Sequence, residues 1–474
     1  MMKRVLIVGA GMGGLTAAIK LAQTGYDVEV LEARAETGGL ASGQILDGMS
    51  FDAGPYILLD RPGLVWAFAQ LGLELDKFIE LRPIDSVYQV ATADGKLIQF
   101  FADKERTAAG FEALWPGSAR RYLDFIERTA RVHQELEPML HVSRPGLAEL
   151  VKARALLAAP FLLRSLSSVL AATGLPAPLV NAIGIWTHVA GQSISEAPSP
   201  LAFVPALIHT AGAFYPAGGI AQVPRVLSEI AAQTGVKIRF NTIVKSIRCE
   251  AGRANRVELA SGESLNADAI ISNYSGIGTY LDLVKDLPPR SLEKLKALPL
   301  LALQSPGVCA YLAIRGRIRK PYLRFTLPGG GELCRLLILP SVMAPELEQD
   351  GWHPARLLAP MRHAEAEALG EKGQCEFLTR IVAEKWWRGD GLEYRLLGSR
   401  IPAQWGAEFN LYRNSMNPVM TASFMRAGRI AHRSPHLRGL YLAGSSTHPG
   451  QWVSFCAMSG VLCAAQVQED FAGA

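Results

Sequence analysis

Apolar and polar positions alternate along this chain in two recognisable periods. Residues Val5 to Val8 form a short, wholly apolar run rich in β-branched side chains, the pattern of a strand buried on both faces. Thr16 to Thr24 continues as a helix, Gly25 ends the turn, and "DVEVLEA" alternates as a second strand ending at Glu32. Further on, "SVYQVATADGKLIQF" predicts two strands joined at the turn signal "ADG", and "WPGSARRYLDFIERTARV" predicts an amphipathic helix entered through Pro116 and Gly117. "FYPAGGIAQVPRVLSEIAAQTGVKIRFNTIVKSI" reads as a Gly-Gly turn, a helix and a strand, and "SLNADAIISNY" supplies another buried strand ending at Ser272 and Asn273. Near the end, Leu440 to Ala443 is a strand, followed by a turn at Gly444 and a loop into an apolar helix that begins near Trp452.

The first strand runs straight into GxGxxG, with Gly13 inside the motif. Gly9 permits a tight turn, Gly11 lets the backbone approach a pyrophosphate, and Gly14 lets the following helix pack against the strand. The N–H groups and dipole of that helix favour phosphate. Glu32 stands eighteen residues past Gly14, where a carboxylate accepts hydrogen bonds from an adenosine ribose and repels a 2′-phosphate. A surface glutamate is the bland alternative.

Just after Glu32 come Ala33, Arg34 and the doublet Gly38, Gly39 in "EARAETGGL", and then Gly54, Pro55 and Tyr56 in "FDAGPYIL". This arrangement resembles the flavoproteins that include amine oxidases and phytoene desaturases, in which the doublet lies against a flavin diphosphate. Bacterial carotenoid desaturases are also similar in the last segment, "LYLAGSSTHPGQWVSFCAMSG", which runs through an "HPG" into a helix of small residues. The resemblance implies FAD as cofactor and an α/β fold: a discontinuous Rossmann-like FAD-binding domain, a mixed-sheet substrate domain, and a helical apolar subdomain open to membrane association. It assigns cofactor contacts to Gly9, Gly11, Gly13, Gly14, Glu32, Ala33, Arg34, Gly38, Gly39, Leu40, Gly54, Pro55 and Tyr56 from the first part of the chain. Val244, at the adenine, and Asn273, Gly444, Ser445, Gln451, Trp452 and Val453 complete the set. The chain departs from the family at Leu40, where Arg or Lys is usual, and at Gln451 and Trp452, where smaller residues are usual. An indole at Trp452 is expected to narrow the substrate end of a cavity. The expected domain limits are 1–63, 216–280 and 430–474 for FAD, 64–110 and 281–429 for substrate, and 111–215 for the helical subdomain.

Composition narrows the function. With 474 residues the chain can bury a large core, and 45 glycines with 49% hydrophobic residues point to an apolar cavity or surface. A net charge of +5 without a basic run excludes a nucleic-acid patch. Cys249, Cys309, Cys334, Cys375, Cys456 and Cys463 show neither a CxxC pair nor zinc spacing, and read as free, buried cytosolic thiols; no metal site is expected. Lys3 and Arg4 before an apolar run imitate a signal peptide, but the glycines interrupt the run, so no cleavage is expected.

From Ser165 to Pro224 the sole formal charge is Glu196. Either an ordinary helical core or the wall of a cavity for a greasy substrate accounts for this. "SRPGLAELVKARALLAAPFLLRSL" sets Arg144, Lys152, Arg154 and Arg164 among leucines, suiting either a membrane interface or a solvated helix. The leading expectation is a cytoplasmic desaturase that takes a hydride and a proton from a long isoprenoid; peripheral association with the inner face of the membrane is left open, as is whether oxygen or a quinone accepts the electrons. The alternatives are carotenoid isomerisation, a saturase, an amine oxidation, or a prenyl-binding protein without flavin chemistry. No catalytic base is assigned. His448, Tyr56 and Tyr215 suit chemical and structural roles equally.

Overall fold

The computed structural model describes residues 2–287, 289–388 and 392–472. Strands β1 (Arg4–Val8) and β2 (Asp27–Leu31) flank the first helix, Met12–Ala22, and start a parallel sheet. The hairpin β3 (Gly43–Leu46) and β4 (Met49–Asp52) follows. Next come β5 (Leu81–Pro83), then β6 (Ser86–Ala91) and β7 (Leu97–Phe101), the pair expected around "ADG". After a helical region come β8 (Phe214–Pro216), which pairs with β5, and β9 (Lys237–Arg239). The antiparallel strands β10 (Val244–Glu250), β11 (Arg253–Leu259) and β12 (Ser264–Asn266) precede β13 (Ala269–Ser272). Strands β14 (Val308–Arg315), β15 (Leu323–Thr326), β16 (Arg335–Ile338), β17 (His353–Ala359) and β18 (Glu393–Arg400) then lead to β19 (Leu440–Leu442) and the C-terminal helix Val453–Ala472.

The five-stranded sheet runs β19-β13-β1-β2-β9, so both ends of the chain feed it. Its strands are apolar on two faces because both are covered. Val5 and Ile7 of β1 join the main core, while Leu6 and Val8 face a second core with the β10–β12 sheet. The seven-stranded sheet runs β18-β14-β17-β16-β15-β6-β7. Strand β14 shows the period of two: Cys309, Tyr311 and Ala313 face the main core, and Val308, Ala310, Leu312 and Ile314 face a third core under the helix His363–Ala383.

The helical region contains the amphipathic helix expected from sequence, Ser118–Leu136, entered through left-handed Gly117. The charge-poor stretch folds into short helices, among them Leu166–Ala171, Ala177–Ile183 and Phe203–Thr210, whose apolar side chains pack into the main core. Trp186, between them, packs edge-on to Tyr88 at 5.4 Å and to Phe325 at 5.7 Å. The cysteines do not all lie inside: Cys309, Cys334 and Cys463 are buried and Cys249 and Cys456 partly so, but Cys375 is exposed. It stands on the His363–Ala383 helix, whose polar face carries it outward.

Candidate functional site

Gly9 turns the chain at φ +93° and its N–H donates to the Leu31 carbonyl at 2.8 Å, joining β1 to the end of β2. A side chain at Gly14 would place Cβ 2.1 Å from the Gly9 carbonyl oxygen, so only glycine lets the helix leave the strand this tightly. The helix is capped by Gly11 with no side-chain acceptor, which leaves its first N–H groups available to an anion. The doublet is fastened to this turn: the Gly38 N–H donates to the Ala10 carbonyl at 2.8 Å.

Glu32 follows β2 and is 7% exposed. One carboxylate oxygen accepts from the Ala10 N–H at 2.6 Å and the other from the Arg34 N–H at 2.9 Å. Each retains a lone pair for a further donor. Arg34 donates to Ser42 Oγ at 2.9 Å, pairs with Glu36, lies 3.5 Å from Glu408 and stacks over Phe409 at 4.3 Å.

The C-terminal glycine stretch meets the first one. A Cβ on Gly13 would lie 2.7 Å from both the Gly444 nitrogen and Asn273 Oδ1. A Cβ on Gly11 would lie 2.6 Å from Asn273 Nδ2, so in this structure the Asn273 amide takes the close approach that Gly11 permits. Gly444 donates its N–H to Ser459 Oγ at 2.8 Å, and Thr447 bonds both the Gly444 carbonyl, at 2.7 Å, and Ser459, at 2.6 Å. His432 completes this buried group 3.3 Å from Ser459, with its pKa pulled down to about 4 by burial.

A cavity of about 350 Å³ opens at this junction. Of the residues singled out in the sequence, Gly9, Gly11, Glu32, Ala33, Arg34, Gly39, Val244 and Asn273 line it. Thr242, Ile243, Gly406, Phe409, Asn410 and Leu411 also line it and escaped sequence reading. The last four follow β18 of the seven-stranded sheet, and no local motif marks them.

The remaining candidates lie outside that cavity lining. Gly13 and Gly14 are in the first helical turn, Gly38 is bridged to Gly11, and Gly444 and half-buried Ser445 begin the C-terminal loop. Leu40 and Gly54 are joined by a 3.0 Å bond from the Gly54 N–H to the Leu40 carbonyl. Half-buried Pro55 leads to buried Tyr56, whose carbonyl accepts from the Tyr322 hydroxyl. Burial pushes the Tyr56 phenol well above its usual pKa. Gln451 Oε1 accepts from Asn417 Nδ2 at 3.0 Å, and buried Val453 starts the last helix. Trp452 stacks on Phe455 at 4.9 Å and packs on the helical-region core around Leu207 and Phe203.

His448 and Tyr215 are both engaged. His448 Nε2 bonds the Met139 carbonyl at 2.8 Å, and burial holds its pKa down at about 3, so the ring is neutral at pH 7. The Tyr215 hydroxyl donates to Asp52 at 2.9 Å, whose other oxygen accepts from the Ile220 N–H at 2.7 Å. Among the described residues no cluster of His, Cys, Asp or Glu could hold a metal ion.

A helix start without a side-chain cap, a buried carboxylate and an arginine meet around one cavity, an arrangement chemically suited to an anionic nucleotide. The family model for flavin containing amine oxidoreductases matches residues 12–318, more than half the chain. The chain belongs to that family and is an FAD-dependent oxidoreductase. It is 28% identical to a hydroxyneurosporene desaturase of Rubrivivax gelatinosus, over 97% of this chain and 92% of that protein. A zeta-carotene-forming phytoene desaturase of Myxococcus xanthus is 26% identical, over 94% and 90%. A 4,4'-diapolycopene oxygenase of Methylomonas sp is 24% identical, over 99% and 98%. Among solved structures, an oxidoreductase from Methanosarcina mazei superimposes with a TM-score of 0.67 at 18% identity, covering 98% of this chain and 100% of that one. Putrescine oxidase bound to putrescine gives 0.64 at 16%, covering 99% of each. At such identities these two likenesses establish the fold alone.

Proposed function

We propose that this enzyme dehydrogenates a long apolar isoprenoid of the carotenoid type at a membrane surface. The observation that carries the reading is the similarity to carotenoid desaturases along nearly the whole chain. Bound FAD supplies the hydride acceptor. The residues that suit it are the N–H groups of Met12–Ala22 and Arg34 at the diphosphate, Glu32 at the ribose and Val244 at the adenine. The Gly444–Val453 loop and the start of the last helix suit the ring, where the helix N-terminus favours negative charge. Gly54, Pro55 and Tyr56 suit the ring's other border. In this reading the FAD domain is assembled from both ends of the chain and residues near 220–280, and the charge-poor helices wall the substrate space.

Membrane contact is supported by the segment 144–164. Leu157 is 93% exposed, Leu147 71% and Leu163 67%, and Arg144, Lys152, Arg154 and Arg164 are exposed beside them. Ala155 and Ala158 anchor the segment to the helical core. Apolar side chains with basic heads suit the boundary of an anionic leaflet. Among the described residues no helix is long and apolar enough to cross a membrane. Electrons would leave to oxygen or a quinone.

The test is to incubate the purified enzyme with candidate polyenes in liposomes and to identify the extracted products. Loss of hydrogen pairs with a lengthened chromophore supports the reading. Oxygen added without new double bonds would assign it to oxygenation, and no product from any polyene would remove the substrate class.

A further inference from the structure

Arg356 of β17 lies on the sheet face turned toward the cofactor side and is 1% exposed. Its Nη2 donates to the carbonyls of Ala53, at 2.8 Å, and Gly54, at 3.0 Å. Its Nε and Nη1 have no hydrogen-bond partner. Beside it lies the Tyr311 ring, 5.9 Å from the guanidinium carbon. The Cys309 thiol and the Asp52 carboxylate are within electrostatic reach, but neither meets these two nitrogens in hydrogen-bond geometry. Burying a guanidinium with two idle donors is costly unless something else uses them. The carbonyls it grips belong to the segment Ala53–Tyr56, which borders the flavin ring in the reading above.

We propose that Arg356 is a positioning residue for the flavin, fixing the Ala53–Gly54 turn and presenting the N–H groups of its two idle nitrogens and its charge to that border of the ring. This rests on the assignment of Gly54, Pro55 and Tyr56 to the ring border. A ring that accepts two electrons and one proton from a substrate C–H bond gains negative charge, and a fixed cation nearby stabilises that charge without changing protonation itself. Lipid substrates do not enter this role, so it can be read without them.

The experiment compares wild type with Arg356→Lys, Arg356→Gln and Arg356→Met. It measures bound FAD, melting temperature, two-electron reduction potential against reference dyes, and affinity for sulfite, an anion that adds to electron-poor flavins. For the Gln and Met variants the expected result is retained FAD with an equilibrium shifted at least tenfold against the reduced form, about 30 mV for a two-electron couple. Sulfite affinity should fall in parallel. The Lys variant, which keeps the charge, should stay within about threefold of wild type. An unchanged potential in a flavin-loaded Gln or Met variant would overturn the inference, as would equal shifts in Lys and Gln. Should both neutral variants fail to fold, a tenfold shift in the Lys variant would overturn it and a wild-type potential would support it. A wild type that binds no FAD would instead overturn the site reading, and this inference with it.

Discussion

Gly460→Ala tests whether the two ends of the chain form one site through the contact between their helices. Gly460 lies in Val453–Ala472, where an added Cβ would sit 2.0 Å from Thr16 Oγ1 and 2.2 Å from the Gly13 carbonyl oxygen. Ordinary contact begins near 3.4 Å, so even if the Thr16 side chain yields, the Gly13 carbonyl requires the helices to separate by about 1.2 Å. Thr16 is fully buried and its hydroxyl bonds the Ala457 carbonyl at 2.9 Å, so yielding breaks a bond between the same two helices. Overpacking costs about 1–3 kcal/mol and the lost hydrogen bond about 0.5–1.5 kcal/mol, while replacing a helical glycine returns about 1 kcal/mol. The net is destabilisation of about 0.5–3.5 kcal/mol. The displaced carbonyl belongs to Gly13, next to Gly444 and Asn273, so FAD should dissociate faster as well. Gly110→Ala is the control. It lies on the exposed side of Lys104–Leu114 with nothing within 4 Å of the added atom, and should gain about 0.5–1 kcal/mol. Thermal unfolding with flavin-release fluorescence measures both variants. If Gly460→Ala melts at or above wild type with full flavin content, the helix contact does not govern the site.

Three further outcomes are expected. Glu32→Ala should weaken FAD binding by about 1.5–3 kcal/mol, roughly 10- to 150-fold in Kd, and titration of the apoprotein showing no change would remove Glu32 from the ribose. His432 has a folded pKa near 4, below the ordinary 6.5, so the unfolded chain takes the proton first. Its contribution to stability is therefore intact above about pH 6.5 and declines as pH falls toward 4, by up to about 1.4 kcal/mol per unit. Urea unfolding at pH 5 and 7 should show a shallower loss in His432→Asn, and equal losses would contradict the assignment. Binding to anionic liposomes should fall with added salt and with neutralisation of Lys152, Arg154 and Arg164, and fall at any salt in Leu157→Asp. Equal flotation on neutral and anionic vesicles would exclude the basic residues.

The parts legible in the sequence are those with short-range mechanics. Gly9 and Gly14 follow from one turn, Glu32 from the length of a strand–helix–strand unit, and β6 and β7 from a turn at Asp94 and Gly95. The parts that were not legible depend on distant contacts. Phe409 reaches Arg34 because β18 and the helix Pro402–Phe409 return to the cofactor side. Arg356 sits between Ala355 and Leu357 in a largely apolar strand, and only the tertiary fold shows that two of its donors are idle. Gly11 was read as making room for phosphate, yet here that room meets Asn273, a residue whose side-chain direction no motif specifies. Trp452 is expected at a cavity wall, and its stacking on Phe455, which no sequence motif specifies, fixes the indole on the helical-region core.

The most direct test of the central claim is anaerobic mixing of purified, FAD-loaded protein with a carotenoid-type polyene in anionic liposomes, recording the flavin and polyene absorbance together. The account predicts bleaching of the oxidised flavin in step with a red-shifted polyene, in stoichiometric amounts in a single turnover. A flavin that stays oxidised with every such polyene, yet is bleached by a soluble amine, would contradict it.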